Sequence, residues 1–348
     1  MPLRSRNSRR PRTRALIATA VALAGVAALG AGVPASAADR YAAPAPNTSQ
    51  FKGVNWADPR DNYANDEVQL SGLSLSDTYA QTYHKATRII SAFRANLGAN
   101  TVRLPINPYT VNGDYWHSYR AVIDAATRQG FKVIVSYWEG SGTQKDGFID
   151  DTATYWPMWK TVTSAFQHNS LVYFEPMNEP HGYTPTEWAD LAAKWIGTFP
   201  KIPRNRIFVS GSGYNDSVVS VCADPRLKGT YLSLHHYGFW GNRTYDEWVT
   251  DLKTRLGDCA YRTVADEFGA TMTSGLDYNG SNVGNNEISF IQADTDVFRE
   301  LHMGSVYWPG LRTGDTYSLQ TLTGPAANPW LATTNKSGAD RLKWAWGR

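Results

Sequence analysis

The residues best suited to chemistry stand at the ends of short apolar runs. Read in chain order, those ends are Asn55 and Trp56, Arg103, Trp138 and Glu139, Glu175 to Glu179, Ser210, His235 to Tyr237, Glu267, and Trp308. Two carboxylates, Glu179 and Glu267, flanked by Asn, Arg, His, Tyr and Trp, make a chemically narrow set. A carboxylate pair can divide acid, base and nucleophile work at a glycosidic carbon. Trp faces bind the apolar faces of sugar rings. The tandem His235-His236 is a weaker signal: no third ligand stands at a characteristic spacing, so no metal is expected.

These ends need elements to bring them together. Apolar β-type runs cover 51–56, 100–104, 131–137, 171–175, 205–210, 230–235, 262–267 and 304–308. Most are continuous rather than alternating, which suits parallel strands covered on both faces. Helical patterns fill the gaps. Ala86, Ile89, Ile90, Phe93 and Leu97 form one stripe, stopped by Gly98. Thr184-Pro185-Thr186-Glu187 and Thr244-Tyr245-Asp246-Glu247 read as capping boxes opening two more helices. Further helices are expected around 288–301 and 337–347. Eight strands alternating with helices point to a (β/α)₈ TIM barrel in which strand C-termini carry function. An open doubly wound sheet is the alternative, but no G-x-G-x-x-G follows the first strand. No cofactor is expected.

Set on those strands, the motifs resemble glycoside hydrolase family 5, cellulase-like retaining β-glycosidases. Asn178-Glu179-Pro180 resembles the motif closing the family's fourth strand, and Asp266-Glu267-Phe268-Gly269 that closing its seventh. Asn100-Thr101-Val102-Arg103-Leu104-Pro105 is similar to its second strand, His235-His236-Tyr237 to its His-x-Tyr, and Trp308 to its Trp on strand eight. The resemblance implies Glu267 as nucleophile and Glu179 as proton donor and base. Arg103, Asn178, His235, Tyr237, Trp308 and Trp138 would support them or bind substrate. Arg103 and Tyr237 would keep Glu267 ionised, while the negative Glu267 would raise the pKa of Glu179. Glu175 is read as structural, facing the barrel interior and pairing with Arg103. Two departures stand out. The third strand ends Ser136-Tyr137-Trp138-Glu139 without the family's His, and the Trp138/Glu139 turn is expected to replace it. Asp266 stands where Gly often precedes the nucleophile; strand neighbours face opposite ways, so it is expected to turn from the site.

Composition narrows the alternatives. The chain has 348 residues, 13% aromatic and only 19% charged, which opposes disorder. Residues 1–37 hold six Arg and no acid, so their removal takes the net charge from +3 to −3. No Lys/Arg block remains, and nucleic acid is not an expected partner. Residues 1–37 run basic, apolar, then Ala35-Ser36-Ala37, the order of a secretory signal peptide. An uncleaved membrane anchor is the other reading of that run. A short linker over 38–50 and one catalytic domain over 51–348 would follow, giving a secreted monomer free of the membrane. Export permits a disulfide between Cys222 and Cys259, with two separate buried thiols as the alternative. The expected substrate is a β-linked polysaccharide or oligosaccharide, a cellulose-like glucan first, with mannan, chitosan or another glycan open. A non-catalytic carbohydrate-binding barrel is the competing class, but such a barrel has no reason to keep both carboxylates.

Overall fold

The computed structural model describes residues 46–141 and 145–348. The expected signal segment lies outside them. Eight parallel strands form the barrel: β1 Lys52–Trp56, β2 Thr101–Ile106, β3 Lys132–Tyr137, β4 Val172–Glu175, β5 Phe208–Ser210, β6 Tyr231–Tyr237, β7 Thr263–Gly269 and β8 Gly304–Leu311. Each pairs with its sequence neighbours, β8 returns to β1, and a single bridge, Phe174 to Ile207, joins β4 to β5. This is the (β/α)₈ barrel that the alternating runs imply. A hairpin, β9 Gln320–Thr323 with β10 Trp330–Thr333, follows the last barrel strand; no apolar run announces it.

Helices form where their caps stand. Thr78, Thr184 and Thr244 each close a capping box, and Gly98 ends the helix Tyr79–Leu97 in the left-handed conformation with φ 75°. Only Gly takes that conformation without a Cβ penalty. The helices Asn286–Glu300 and Lys336–Ala345 complete the ring. Their apolar stripes bury against the outward strand residues in one continuous core that includes Val102, Val133, Phe174 and Leu234. Among the described residues, no helix is long and apolar enough to cross a membrane. Thr48–Gln50, within the expected linker, forms a 3-10 turn whose Thr48 is buried and whose Gln50 amide donates to the Tyr231 hydroxyl at 2.8 Å.

The barrel interior is layered. Phe51, Ile134, Tyr173, Phe208, Tyr231, Val264 and Val306 plug its bottom. Strand periodicity then places the residue two positions later one layer up. That rule puts Ser136, Glu175, Ser210, Ser233 and Asp266 in a polar layer with Asn55 and Arg103, each at most 2% exposed. The strand mouths lie above this layer. Cys222 and Cys259 are joined by a disulfide that closes a span of 37 residues outside the barrel.

Candidate active site

Arg103 organises the polar layer. It is fully buried and donates from Nε and Nη2 to both oxygens of Glu175, at 2.7 and 2.9 Å. Nη1 reaches Glu267 Oε2 at 2.9 Å, and Nη2 reaches Asn178 Oδ1 at 2.8 Å. One guanidinium thus ties β2 to β4 and β7, and Glu175 is the structural partner expected of it. Burying a charge this deeply costs several kcal/mol unless carboxylates surround it.

Glu267 lies near the C-terminal end of β7 and accepts from the Tyr237 hydroxyl at 2.8 Å. Glu179 follows β4 in a left-handed turn, φ 47°. For a residue with a long side chain that conformation stores strain and recurs at functional sites. Its backbone N–H donates to Asn215 Oδ1 at 3.1 Å, which anchors the turn. Glu179 Oε2 accepts from the Tyr63 hydroxyl at 2.7 Å, and Oε1 lies 2.9 Å from His235 Nδ1. A carboxylate oxygen of Glu179 and one of Glu267 lie within 4.8 Å of each other. The two acids, His235, Tyr63, Trp138 and Trp308 face a cleft of about 530 Å³.

The charge balance differs from expectation for both acids: the sequence leads one to expect Glu179 raised, and Glu267 held ionised by Arg103 and Tyr237. Burial disfavours a charged His235, but the Glu267 carboxylate and the hydrogen bond to Glu179 outweigh it and lift its pKa to about 9. Burial also works against an ionised Glu179, yet the hydrogen bond and charge of His235, helped by Tyr63, hold its pKa below the usual value. Glu267 is the acid that is raised: burial leads, Glu179 repels, and His235 and Arg103 only partly compensate. The expectation that Glu267 would raise Glu179 omitted the imidazolium on Glu179's side of the pair.

A second correction concerns Asp266. It does not turn away; it points into the barrel, as Val264 does two residues earlier. The register shifts between β6 and β7, so that Leu234 pairs with Ala265 but His235 with Glu267. Asp266 is the extra residue of this bulge, which turns Glu267 to the mouth as well. Buried, and repelled by Glu175, Asp266 has a pKa raised to about 7. The alternation counted from Val264 carried this signal.

The third strand's end is also divided in function. Trp138 enters the cleft wall and stacks on Trp308, centroids 5.5 Å apart and planes within 21°. Glu139 does not reach the cleft; its oxygens accept the backbone N–H groups of Asp146 and Gly147 and so hold the next loop. Trp56 likewise faces outward against Phe93. Tyr63 was missed because it lies in the long loop after β1. Asp61 and Asn62 there take positive φ, and Asn62 Oδ1 accepts from Asp58 N–H at 2.8 Å. Only that turn aims Tyr63 at Glu179. Beyond the carboxylates, Tyr214, Phe239 and Trp240 stand exposed along the cleft.

Two sets of oxygen and nitrogen atoms could meet a cation, Glu175/His235/Asp266 and Glu179/His235/Glu267. Arg103 already lies 2.7 Å from Glu175 and 2.9 Å from Glu267, so its charge serves both sets. His236 points the other way, to Asp294 at 2.9 Å and Asp251 at 3.0 Å. The tandem histidines therefore cannot share an ion.

A family model described as Cellulase (glycosyl hydrolase family 5) matches residues 61–309. The chain belongs to glycosyl hydrolase family 5. Its structure is similar to the catalytic domain of the major endoglucanase from Xanthomonas campestris pv. campestris, with TM-score 0.62 and 16% identity over 86% of this chain and 95% of that one. It also resembles an endo-beta-1,4-glucanase from Xanthomonas axonopodis pv. citri, at 0.60 and 17% over 86% and 99%. A third likeness is to a cellotetraose complex of the endocellulase from Pyrococcus horikoshii, at 0.60 and 17% over 84% and 92%. These likenesses concern the fold. No curated protein sequence matches the chain. Membership in this glycosidase family makes the protein a glycoside hydrolase.

Proposed function

We propose that this family 5 enzyme is a secreted, retaining endo-β-glucanase with Glu267 as nucleophile and Glu179 as acid and base. The observation that carries the reading is the approach of the two carboxylates, oxygens within 4.8 Å, across an aromatic cleft. Retaining enzymes hold their carboxyl groups about 5–5.5 Å apart, too close for a water on the far face of the sugar. The relatives named for β-1,4-glucan and cellotetraose favour a cellulose-like substrate, and the exposed Phe239 and Trp240 suit a chain running past the cleavage point.

Glu267 attacks the anomeric carbon while Arg103 and Tyr237 stabilise its charge. Glu179 gives its proton to the leaving oxygen. That proton comes through the hydrogen bond with His235: the Nδ1–H bond breaks as the Oε1–H bond forms, and Glu179 passes it on. Once the glycosyl ester has neutralised Glu267, Glu179 acts as base on the incoming water. Asn178, held by Arg103, is the donor for the sugar 2-OH. The chain would work as a monomer without cofactor, with its catalytic domain at 51–348 behind a signal segment at 1–37. The Cys222–Cys259 disulfide fits an oxidising destination.

The decisive experiment follows the first-formed product by proton NMR on a β-linked cello-oligosaccharide. A β anomer agrees with the reading; an α anomer means inversion and defeats it. Glu267→Ala should abolish turnover in a folded protein. Glu179→Ala should regain activity with azide on activated aryl glycosides.

A further inference from the structure

The bulge in β7 places an acid where the nucleophile's neighbour could have been side-chain-free. Asp266 is fully buried directly beneath His235. Its Oδ1 lies 3.7 Å from His235 Nε2, and its Oδ2 3.7 Å from Arg103 Nε. Two buried polar atoms here have no hydrogen-bond partner among the described residues: Asp266 Oδ2 and His235 Nε2. Unpaired buried polar atoms are costly, and the Asp266 oxygen beside the bare Nε2 is Oδ1, while Oδ2 lies toward Arg103. Closing the 3.7 Å between Nε2 and Oδ1 to hydrogen-bonding distance would join His235 to Asp266.

Asp266 is also tied to the acid's backbone. Ser233 Oγ donates to Asp266 Oδ1 at 2.6 Å, Asn215 Nδ2 donates to Ser233 Oγ at 2.5 Å, and Asn215 Oδ1 accepts the Glu179 N–H. Side chain and backbone of Glu179 thus both lead to Asp266.

We propose that Asp266 is a positioning residue that acts through His235 on Glu179, keeping the Nε2 proton in place so that the Nδ1 proton is the one delivered. This rests on the acid role of Glu179. In the step, His235 loses its Nδ1 proton to Glu179 Oε1 and becomes the neutral Nε2–H tautomer, whose N–H faces the Asp266 carboxylate. The carboxylate charge also sets how readily the imidazolium gives up its proton. The charged neighbours of His235 are Glu179 from the loop after β4, Glu175 from β4, Arg103 from β2, and Asp266 and Glu267 from β7. Asp266 is the only one of these acids with neither a guanidinium hydrogen bond nor a place in the cleft, so its charge is shared between His235 and Arg103, each 3.7 Å away.

The test is Asp266→Asn, which keeps shape and the Ser233 contact but removes the charge. Nitrogen NMR of the His235 ring should show its titration move down by about one pH unit or more. The alkaline limb of kcat/KM should move with it, and cello-oligosaccharide hydrolysis should drop about tenfold while activated aryl glycosides change little. Ser233→Ala, which strips Asp266 of its hydroxyl donor, should shift both in the same direction and serves if the Asn variant does not fold. Titration and limb unmoved in a folded variant would overturn the proposal. The NMR titration needs no turnover: a shifted His235 with no azide rescue of Glu179→Ala would remove the acid role while leaving the Asp266–His235 coupling standing.

Discussion

Tyr63 donates to Glu179 at 2.7 Å and receives the Asn178 amide at 3.2 Å. Its removal leaves two buried groups short of a partner. Tyr63→Phe should lower kcat/KM about tenfold on poor leaving groups, since Glu179 becomes a weaker acid. A series of aryl glycosides with graded leaving groups should show a steeper dependence in the variant; equal slopes would free Tyr63 of this role. The same residues set the pH profile. Glu267, raised by burial, must be ionised, so the acid limb of kcat/KM should lie above the ordinary glutamate value of 4.5. His235 must hold its proton, so the alkaline limb should lie near 9. His235→Asn should collapse the alkaline limb toward lower pH.

The strand ends work only if adjacent strands approach closely. Gly269, at the end of β7, has no room for a side chain: a Cβ there would come 2.1 Å from the backbone oxygen of Trp308. That oxygen cannot move without moving Trp308 and the cleft wall it shares with Trp138. Gly269→Ala should cost about 1–3 kcal/mol in urea unfolding, as overpacking does. It should also raise KM for oligosaccharides. A destabilised enzyme with unchanged KM would show that β8 gives way without disturbing the wall. The seam between β4 and β5 is by contrast loosely paired, since those strands are four and three residues long and meet at one bridge.

At the level of the whole molecule, the Cys222–Cys259 link restrains the outer layer behind β6. Closing a loop of this size, 37 residues, limits the unfolded chain, and its loss should cost about 3–4 kcal/mol. The double Cys→Ser variant should melt earlier, whereas an unchanged Tm would mean that the outer layer opens late in unfolding. The buried ionisable groups set the pH response. His235 is raised from 6.5 to about 9, Asp266 from 3.8 to about 7, and Glu139 from 4.5 to about 8. Each binds its proton more tightly when folded. Each therefore contributes stability that is complete below its ordinary pKa and lost as pH rises through its folded value. Tm should fall steadily between pH 5 and 9. Glu139→Gln should flatten the stretch from about 4.5 to 8, and an identical slope would remove Glu139 from the account.

The sequence by itself determined the barrel, the order of the strands and the main side chains that meet at its mouth. Burial on both faces of a parallel strand demands continuous apolar runs, and capping needs fixed residues at Thr184 and Thr244, so both are written locally. Glu179, Glu267, Arg103 and His235 were legible because a barrel gathers strand ends whatever fills the loops. The tertiary structure alone decided how these groups share their charge. His235 sits between two acids that are 88 residues apart, and its imidazolium reverses the order in which they hold protons. Glu267 faces the mouth beside an inward Asp266 through a bulge, which depends on the register of β6 against β7 and not on either strand's composition. Tyr63 reaches Glu179 from a loop whose path is set by two left-handed residues and by Asp58. Distances of a few ångströms across the barrel govern proton placement, and no one-dimensional spacing encodes them.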